Sequence, residues 1–202
     1  MPRVSQQQTD QNRIAIENAS ATLFREHGLN GVSVADLMSA AGLTHGGFYG
    51  HFSSKDGLAA VACTRAFEGA AARWDRRFES LPDATARRAA YVDGYLAATS
   101  RDRPGSGCAV AALAGDVARE AADKPVRSAY LHGVKAMQAR LAALQAPGVA
   151  ADAAQRQALV DMATLVGALL LSRATRGDAI SDAILASAHE ALLRSTEPGA
   201  GT

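Results

Sequence analysis

Residues 33–55 read SVADLMSAAGLTHGGFYGHFSSK, and this stretch decides the fold. Its first apolar side chains recur at i, i+3, i+4 and i+7, the spacing of one helix face. They are Val34, Leu37, Met38 and Ala41. Ser33 is placed to cap this helix, Gly42 to end it in the left-handed conformation, and Thr44 to cap the helix that follows. A short helix, a tight turn and a second helix predict a helix-turn-helix.

The flanking residues predict a small head and a connection to a body. A helix over residues 10–27 carries an apolar stripe and ends at Gly28. The stripe consists of Ile16, Ala19, Leu23 and Phe24, and the solvent face of Arg13, Glu17 and Arg25. Phe48 and Phe52 are expected to complete the core of a three-helix head. The apolar pattern over residues 53–78 predicts one long connecting helix.

The rest of the chain predicts a helical body. Helices are expected near 83–100, 108–122, 125–144, 152–175 and 181–194, with a polar Pro/Gly loop at 101–107. No segment alternates in the manner of a strand, and a composition with 48% hydrophobic but only 5% aromatic residues favours closely packed helices. We therefore predict an all-α fold of about nine helices.

The run from Ala41 to Lys55 follows the pattern A-G-L-T-x-G-x-F-Y-x-H-F-x-S-K and resembles the TetR family of one-component bacterial repressors. The resemblance covers the N-terminal 60 residues, and the remainder is similar only in length and helical character. It implies a DNA-binding domain at 1–53 and a ligand-binding and dimerisation domain at 54–196. Residues 197–202, EPGAGT, are expected to form a disordered tail.

The same resemblance implies which residues face DNA. They are Ser33, Thr44, His45, Gly46, Gly47, Tyr49, His51 and Lys55. Residues at the N-terminal end of the second helix enter the major groove, and the three glycines of that helix leave base reading to Thr44 and His45. Tyr49, His51 and Lys55 suit phosphate contacts. The alternative is that Tyr49 and His51 pack the small core.

The last two helices carry more apolar surface than one body needs, and two-fold pairing is its natural use. In TetR-like proteins the corresponding helices form a four-helix dimer interface. The residues expected there are Leu159, Val166, Leu170, Ile180, Ile184, Ala188 and Leu192. A homodimer would set two reading helices about one DNA turn apart on a near-palindromic, double-stranded operator. The alternative is an ordinary core within one chain.

Cys108 follows Gly105-Ser106-Gly107 and opens a helix, where free N–H groups favour a thiolate. This segment also resembles a subset of TetR-like regulators that sense electrophiles or oxidants, with Arg173 as a candidate cationic neighbour. If Cys108 is an inert core residue, a non-covalent small-molecule effector is expected instead. Its pocket would be lined by Trp74, Phe78, Tyr91, Tyr95, Tyr130, Met137 and Met162, unless these side chains merely pack the core.

The charge distribution does not itself predict DNA binding. The chain has a net charge of +1, and acidic residues outnumber basic ones in the head. The acids are Asp10, Glu17, Glu26, Asp36 and Asp56, against Arg3, Arg13, Arg25 and Lys55. A neutral head binds DNA through few, well-aimed contacts, including helix N-termini and hydroxyls. A helical small-molecule-binding protein without DNA binding is therefore one alternative.

Other classes of protein have little support in the sequence. Cys63 and Cys108 lack C-x-x-C spacing, His132 and His189 fit no metal-ligand spacing, and no cofactor motif is present. We predict no metal, no cofactor and no enzymatic activity, with a cysteine-dependent helical enzyme as a further alternative. The apolar run 162–171 is shorter than the ~20 residues that span a bilayer, so we expect a cytoplasmic protein without a membrane partner.

Overall fold

The structure is a computed structural model that describes residues 6–194. Over these residues the chain forms nine α-helices and two short 3-10 helices, without strands, which confirms the predicted all-α class. The α-helices are α1 (Gln6–His27), α2 (Val34–Ala40), α3 (Lys55–Phe78), α4 (Ala84–Tyr95), α5 (Ala98–Asp102), α6 (Ala109–Arg119), α7 (Pro125–Ala143), α8 (Ala151–Ala174) and α9 (Ala179–Arg194). The 3-10 helices span His45–Gly50 and Pro104–Ser106. The predicted tail lies outside the described residues.

The chain divides into two compact units. The first unit combines the chain up to Ala70 with Pro104–Gly133, and the second combines Ala71–Arg103 with the chain from Val134 onward. Helices α3 and α7 contribute residues to both units. This division reflects packing. The predicted functional boundary between residues 53 and 54 concerns which residues bind DNA, and it stays a prediction.

The core of the first unit is built by α1, α2, the 3-10 helix His45–Gly50 and α3, joined by α6 and the start of α7. Its most deeply buried large side chains are Ile16, Phe24, Leu37, Met38, Phe48, Leu58 and Leu113. Phe52 is also buried, so both phenylalanines complete the core as predicted.

The predicted solvent face of α1 is wrong at two positions. Glu17 and Arg25 are only 7% and 9% exposed. Each is buried because it has a partner: Glu17 pairs with Arg13 and Arg65, and the Arg25 guanidinium donates to the Gly107 carbonyl at 3.2 Å. Helical spacing identifies apolar stripes but does not reveal which charged side chains find partners inside.

The second unit contains a buried ion pair between Arg88 of α4 and Asp161 of α8, which are 3% and 1% exposed. Asp161 also accepts hydrogen bonds from Gln145 at 3.0 Å and Gln157 at 2.9 Å. Arg88 donates further to the Leu192 carbonyl at 3.1 Å, which ties α9 to the same network. A buried charge persists only where partners replace water, and this network supplies them.

The prediction of one helix near 83–100 is wrong, because the chain breaks at Leu96 and Ala97 into α4 and the short α5. Asp83 caps α4 by accepting the Ala86 N–H at 2.8 Å. At the other end, the Ser100 hydroxyl donates to the Gly94 carbonyl at 2.7 Å. That carbonyl would otherwise lack an intrahelical partner, so the break is satisfied locally.

By length and composition alone, the 24-residue helix α8 is apolar enough to cross a membrane, so the short run 162–171 understates the apolar extent of this helix. One such helix is weak evidence, since the core helix of a soluble domain passes the same test. Here α8 packs against α9 and carries the buried, paired Asp161. We therefore treat α8 as a helix of a folded unit.

Candidate nucleic-acid interface

The turn after α2 is fixed by backbone hydrogen bonds, and the start of α2 by its cap. Ser33 caps the helix in a reciprocal capping box: its hydroxyl accepts the Asp36 N–H at 3.2 Å, and the Asp36 carboxylate accepts the Ser33 N–H at 2.9 Å. The hydrogen bonds from the Ser33 side chain and backbone lower the pKa of Asp36. The cap predicted at Ser33 is confirmed.

Gly42 ends α2 in the left-handed conformation, with φ of +72°, as predicted. Its N–H donates to the Ser39 carbonyl and the Leu43 N–H donates to the Met38 carbonyl, each at 2.9 Å. This pair of bonds is a Schellman motif, which terminates the helix and sets the direction of the chain that follows.

The second helix of the motif is a 3-10 helix, His45–Gly50, rather than a longer α-helix. Thr44 occupies its N-cap position, but the threonine side chain makes no capping hydrogen bond, so the cap predicted there is wrong. Three glycines in six residues weaken an α-helix by up to about 1 kcal/mol each, which favours a short, tight turn. We call residues 44–50 the reading segment.

One side of the reading segment is buried and the other is open. Phe48 is fully buried, and Tyr49 beside it is 73% exposed, with the two rings edge-to-face at 5.2 Å between centroids. The remaining predicted DNA-facing residues of this region are also exposed: Ser33, Thr44, His45, Gly46 and Gly47. The interpretation of Tyr49 as a core residue is therefore excluded by its position.

His51 and Lys55 follow the reading segment and are partly exposed. His51 ends the 3-10 helix, and Lys55 is the first residue of α3. The preceding Ser54 caps α3, because its hydroxyl accepts the Gly57 N–H at 3.0 Å. A lysine at a helix N-terminus adds its charge to free backbone N–H groups, which together suit a phosphate.

Sequence reasoning missed Arg13, which it placed on a solvent face. The Arg13 guanidinium donates to the His51 carbonyl at 2.6 Å and lies 4.4 Å from the centroid of the Phe52 ring. No local pattern reveals a contact across 38 positions. An arginine one turn before Glu17, on the helix that precedes the helix-turn-helix, is the one indication that the sequence offers.

The predicted effector residues fall into both units. Cys108 and Tyr130 lie in the first, where the Tyr130 hydroxyl donates to the Val110 carbonyl at 3.0 Å and Cys108 occupies the N-cap of α6. The second unit holds Trp74, Phe78, Tyr91, Tyr95, Met137, Met162 and Arg173. Four of these are aromatic and pack together in one cluster, with 4.4 Å between the Trp74 and Tyr91 centroids.

Arg173 has backbone partners within its own unit, and its expected role beside Cys108 stays a prediction. Its guanidinium donates to the Ser100 carbonyl at 2.8 Å and the Arg101 carbonyl at 3.3 Å, both within the second unit. Cys63, by contrast with the partly exposed Cys108, is buried, and burial raises its pKa to about 12. Among residues 6–194 no group of three or more His, Cys, Asp or Glu side chains could hold a metal ion.

The residues predicted for a dimer interface differ in exposure. Leu159, Leu170 and Ile180 are exposed, Val166, Ile184 and Ala188 are partly buried, and Leu192 is only 3% exposed. Two further exposed residues of α8, Val160 and Leu171, were not predicted. Leu192 packs inside its own unit, whereas the five exposed residues present apolar side chains to solvent on α8 and α9.

The capped helix, the Schellman turn and the outward reading segment define a helix-turn-helix DNA-binding protein. Residues 16–62 match the family model described as bacterial regulatory proteins, tetR family. This match covers the helix-turn-helix region and confirms the resemblance of the N-terminal motif to that family. Because this family consists of regulatory proteins, the match also supports the prediction that the chain is not an enzyme.

Solved structures share the fold. The reduced form of NemR from E. coli has a TM-score of 0.78 and 22% identity, covering 94% of this chain and 99% of that chain. The TetR-family regulator from Cytophaga hutchinsonii has a TM-score of 0.77 and 22% identity, covering 98% and 100%. A TetR regulator from Chloroflexus aurantiacus J-10-FL has a TM-score of 0.73 and 25% identity, covering 93% and 95%. No curated protein matches the chain significantly.

Proposed function

We propose that this protein is a cytoplasmic transcriptional repressor that binds a near-palindromic operator as a homodimer and is released by a small-molecule or electrophilic effector. One observation carries the DNA-binding part of this proposal. The reading segment presents Thr44, His45 and Tyr49 to solvent, while Phe48 anchors its inner side. Exposed side chains at the start of a second helix are what major-groove recognition requires.

The contact roles of Tyr49 and Lys55 are tested by alanine variants. Tyr49→Ala and Lys55→Ala should each weaken operator binding, and Lys55→Ala should also reduce the dependence of affinity on salt by about one counterion. Lys135→Ala, which removes an exposed lysine of α7, is the matched control. Unchanged affinity of a folded Tyr49→Ala or Lys55→Ala variant would refute the role of that residue.

The homodimer is supported by the exposed apolar side chains of α8 and α9. Leu159, Val160, Leu170, Leu171 and Ile180 are each about half exposed. Several large apolar side chains exposed on two consecutive helices suit a subunit interface, where they would be buried. A two-fold dimer uses the same surface on both copies and fixes the spacing of the two reading segments.

Light scattering of matched variants tests the dimer. Leu171→Glu should convert a species of twice the chain mass into one of single mass, because a carboxylate would be buried unpaired. Leu131→Glu is the control, since Leu131 of α7 is 53% exposed against 56% for Leu171. A wild-type protein that is monomeric at micromolar concentration, with or without duplex DNA, would refute the dimer.

The residue proposed to react with an electrophilic effector is Cys108. It is partly exposed and occupies the N-cap of α6, so a reagent can reach its thiol. The preceding carbonyl, of Gly107, accepts a hydrogen bond from Arg25 of α1. A group added to Cys108 would therefore lie one residue from a contact with α1, the helix that precedes the helix-turn-helix.

The sensor role is tested by alkylation before a DNA-shift assay. N-ethylmaleimide should release operator from the wild type and leave the Cys108→Ser variant bound. Equal release from both proteins would remove Cys108 as a sensor. The effector would then bind non-covalently, and the aromatic cluster of the second unit is the candidate binding site. Trp74 is the only tryptophan, so its fluorescence reports ligand binding at that cluster.

Release follows from differential affinity. An effector that binds one conformation more tightly shifts the population toward it, and DNA binding falls if that conformation spaces the two heads wrongly. A helical small-molecule-binding protein without DNA binding is the second candidate, favoured by the excess of acidic side chains in the head. Failure to shift promoter DNA at low salt would support that candidate.

A further inference from the structure

Arg13 of α1 holds the C-terminal end of the reading segment. Its Nη1 donates to the His51 carbonyl at 2.6 Å, and its guanidinium carbon lies 4.4 Å from the centroid of the Phe52 ring. The carbonyl at the end of a helix has no intrahelical partner and carries partial negative charge. A guanidinium therefore both satisfies this carbonyl and stacks on the ring of the next residue.

The reading segment needs this second attachment. Its N-cap residue, Thr44, makes no side-chain capping bond, and three of its residues are glycines. An added Cβ would meet no atom within 4 Å at Gly46 or Gly50. The buried Phe48 ring anchors the inner side of the reading segment. A single buried side chain still allows the segment to rotate about that point. The contact from Arg13 restrains the end opposite Thr44.

Arg13 is itself oriented by a buried carboxylate. Its Nε donates to Glu17 Oε1 at 3.1 Å, and the other oxygen of Glu17 accepts from Arg65 of α3. Glu17 is therefore held between two guanidinium groups from two helices. The Arg13 guanidinium thus donates from two of its nitrogens, Nε to this fixed carboxylate and Nη1 to the His51 carbonyl, and we call this pair of hydrogen bonds the Arg13 fork. The single ammonium of lysine does not reproduce this geometry.

Resting on the DNA-binding function proposed above, we infer that Arg13 is a positioning residue for base recognition. It sets the orientation of the reading segment relative to α1 and α3. Phosphate contacts carry most non-specific affinity, whereas base contacts demand accurate placement. Loss of the Arg13 fork lowers affinity for the operator and leaves affinity for unrelated DNA unchanged.

The test measures the ratio of operator affinity to shuffled-duplex affinity, and the salt dependence of each. Arg13→Lys keeps the charge and loses the fork, so the ratio should fall about tenfold while the salt slope stays that of the wild type. Glu17→Gln leaves Arg13 in place but weakens its orientation, so the ratio should fall by a smaller factor. Arg119→Lys, at an arginine whose side chain is 75% exposed in the same unit, is the control.

Circular dichroism is recorded for each variant, and folded variants with a wild-type ratio would overturn the inference. A further variant, Arg13→Gln, removes the charge. If it made the dependence of affinity on salt shallower by about one counterion and left the ratio of operator to shuffled-duplex affinity unchanged, Arg13 would be a phosphate contact, which would also overturn the inference. A wild-type protein that does not distinguish operator from shuffled DNA refutes the proposed function itself. Discrimination by the wild type and by both variants alike refutes only the role of Arg13.

Discussion

The carboxylate of Asp116 accepts a hydrogen bond from the backbone N–H of Leu29 at 2.9 Å. This bond joins α6, which Cys108 opens, to the residues that link α1 and α2. Gly28 makes the approach possible, because its φ is +79° and an added Cβ would lie 2.6 Å from the same carboxylate oxygen. A side chain at residue 28 would meet both a strained backbone and a steric overlap.

We expect Asp116→Ala to destabilise the protein by about 1.5–3 kcal/mol, because a buried N–H loses a charged acceptor. Asp116→Asn keeps an acceptor oxygen and should cost less. Arg119→Ala is the control, since it removes only an ion pair whose arginine is mostly exposed. Urea unfolding measures all three variants. If Asp116→Ala and Arg119→Ala had equal effects, the bond to Leu29 would not be a stabilising contact.

The buried pair of Arg88 and Asp161 should behave as a unit. Asp161→Leu alone leaves Arg88 without its carboxylate and should cost about 3–5 kcal/mol. The double variant Arg88→Met with Asp161→Leu should cost far less than the two single variants together. Urea unfolding of the four proteins gives the coupling energy, and additive effects would contradict a paired network.

The two cysteines should differ in reactivity. Burial raises the pKa of Cys63 to about 12, so at pH 8 only about one part in ten thousand of that thiol is the reactive thiolate. We expect N-ethylmaleimide to add one group to the native protein and two in denaturant, as measured by mass spectrometry. Native Cys108→Ser should take up none. Labelling of Cys63 at the rate of Cys108 would contradict its burial.

The capping box should make stability depend on pH. The hydrogen bonds from Ser33 lower the pKa of Asp36 below its ordinary value of 3.8. The charged carboxylate therefore stabilises the fold fully at pH values above 3.8. This stabilisation is lost as the pH falls through the pKa of Asp36 in the folded state. The difference between the unfolding free energies of wild type and Asp36→Asn should therefore shrink from pH 6 to pH 3. Ser33→Ala should cost about 1 kcal/mol at neutral pH. A difference that does not change with pH would exclude the capping role of the charge.

The helix-turn-helix was predictable because its information is local. Ser33 and Gly42 have conformations that neighbouring residues determine, and both were predicted from those neighbours. Thr44 shows the limit of this reasoning, since a residue suited to capping makes no capping bond when the following helix is a glycine-rich 3-10 turn.

The predictions that failed concern contacts distant in sequence. Glu17 and Arg25 are charged and lie on a helix, so spacing alone places them in solvent, but Arg65 and the Gly107 carbonyl come to them from other elements. The break after Tyr95 likewise depends on Ser100, whose hydroxyl satisfies a carbonyl of α4. Such partners are known only when the fold is known.

Hydroxyl-radical footprinting of the DNA upstream of the gene tests the paired DNA-binding account most directly. We expect two protected half-sites of related, inverted sequence. Their centres should lie about one helical turn (10–10.5 base pairs) apart, or a multiple of that distance, and two chains should bind each operator. Protection of a single half-site by one chain, or equal affinity for a shuffled duplex, would contradict it.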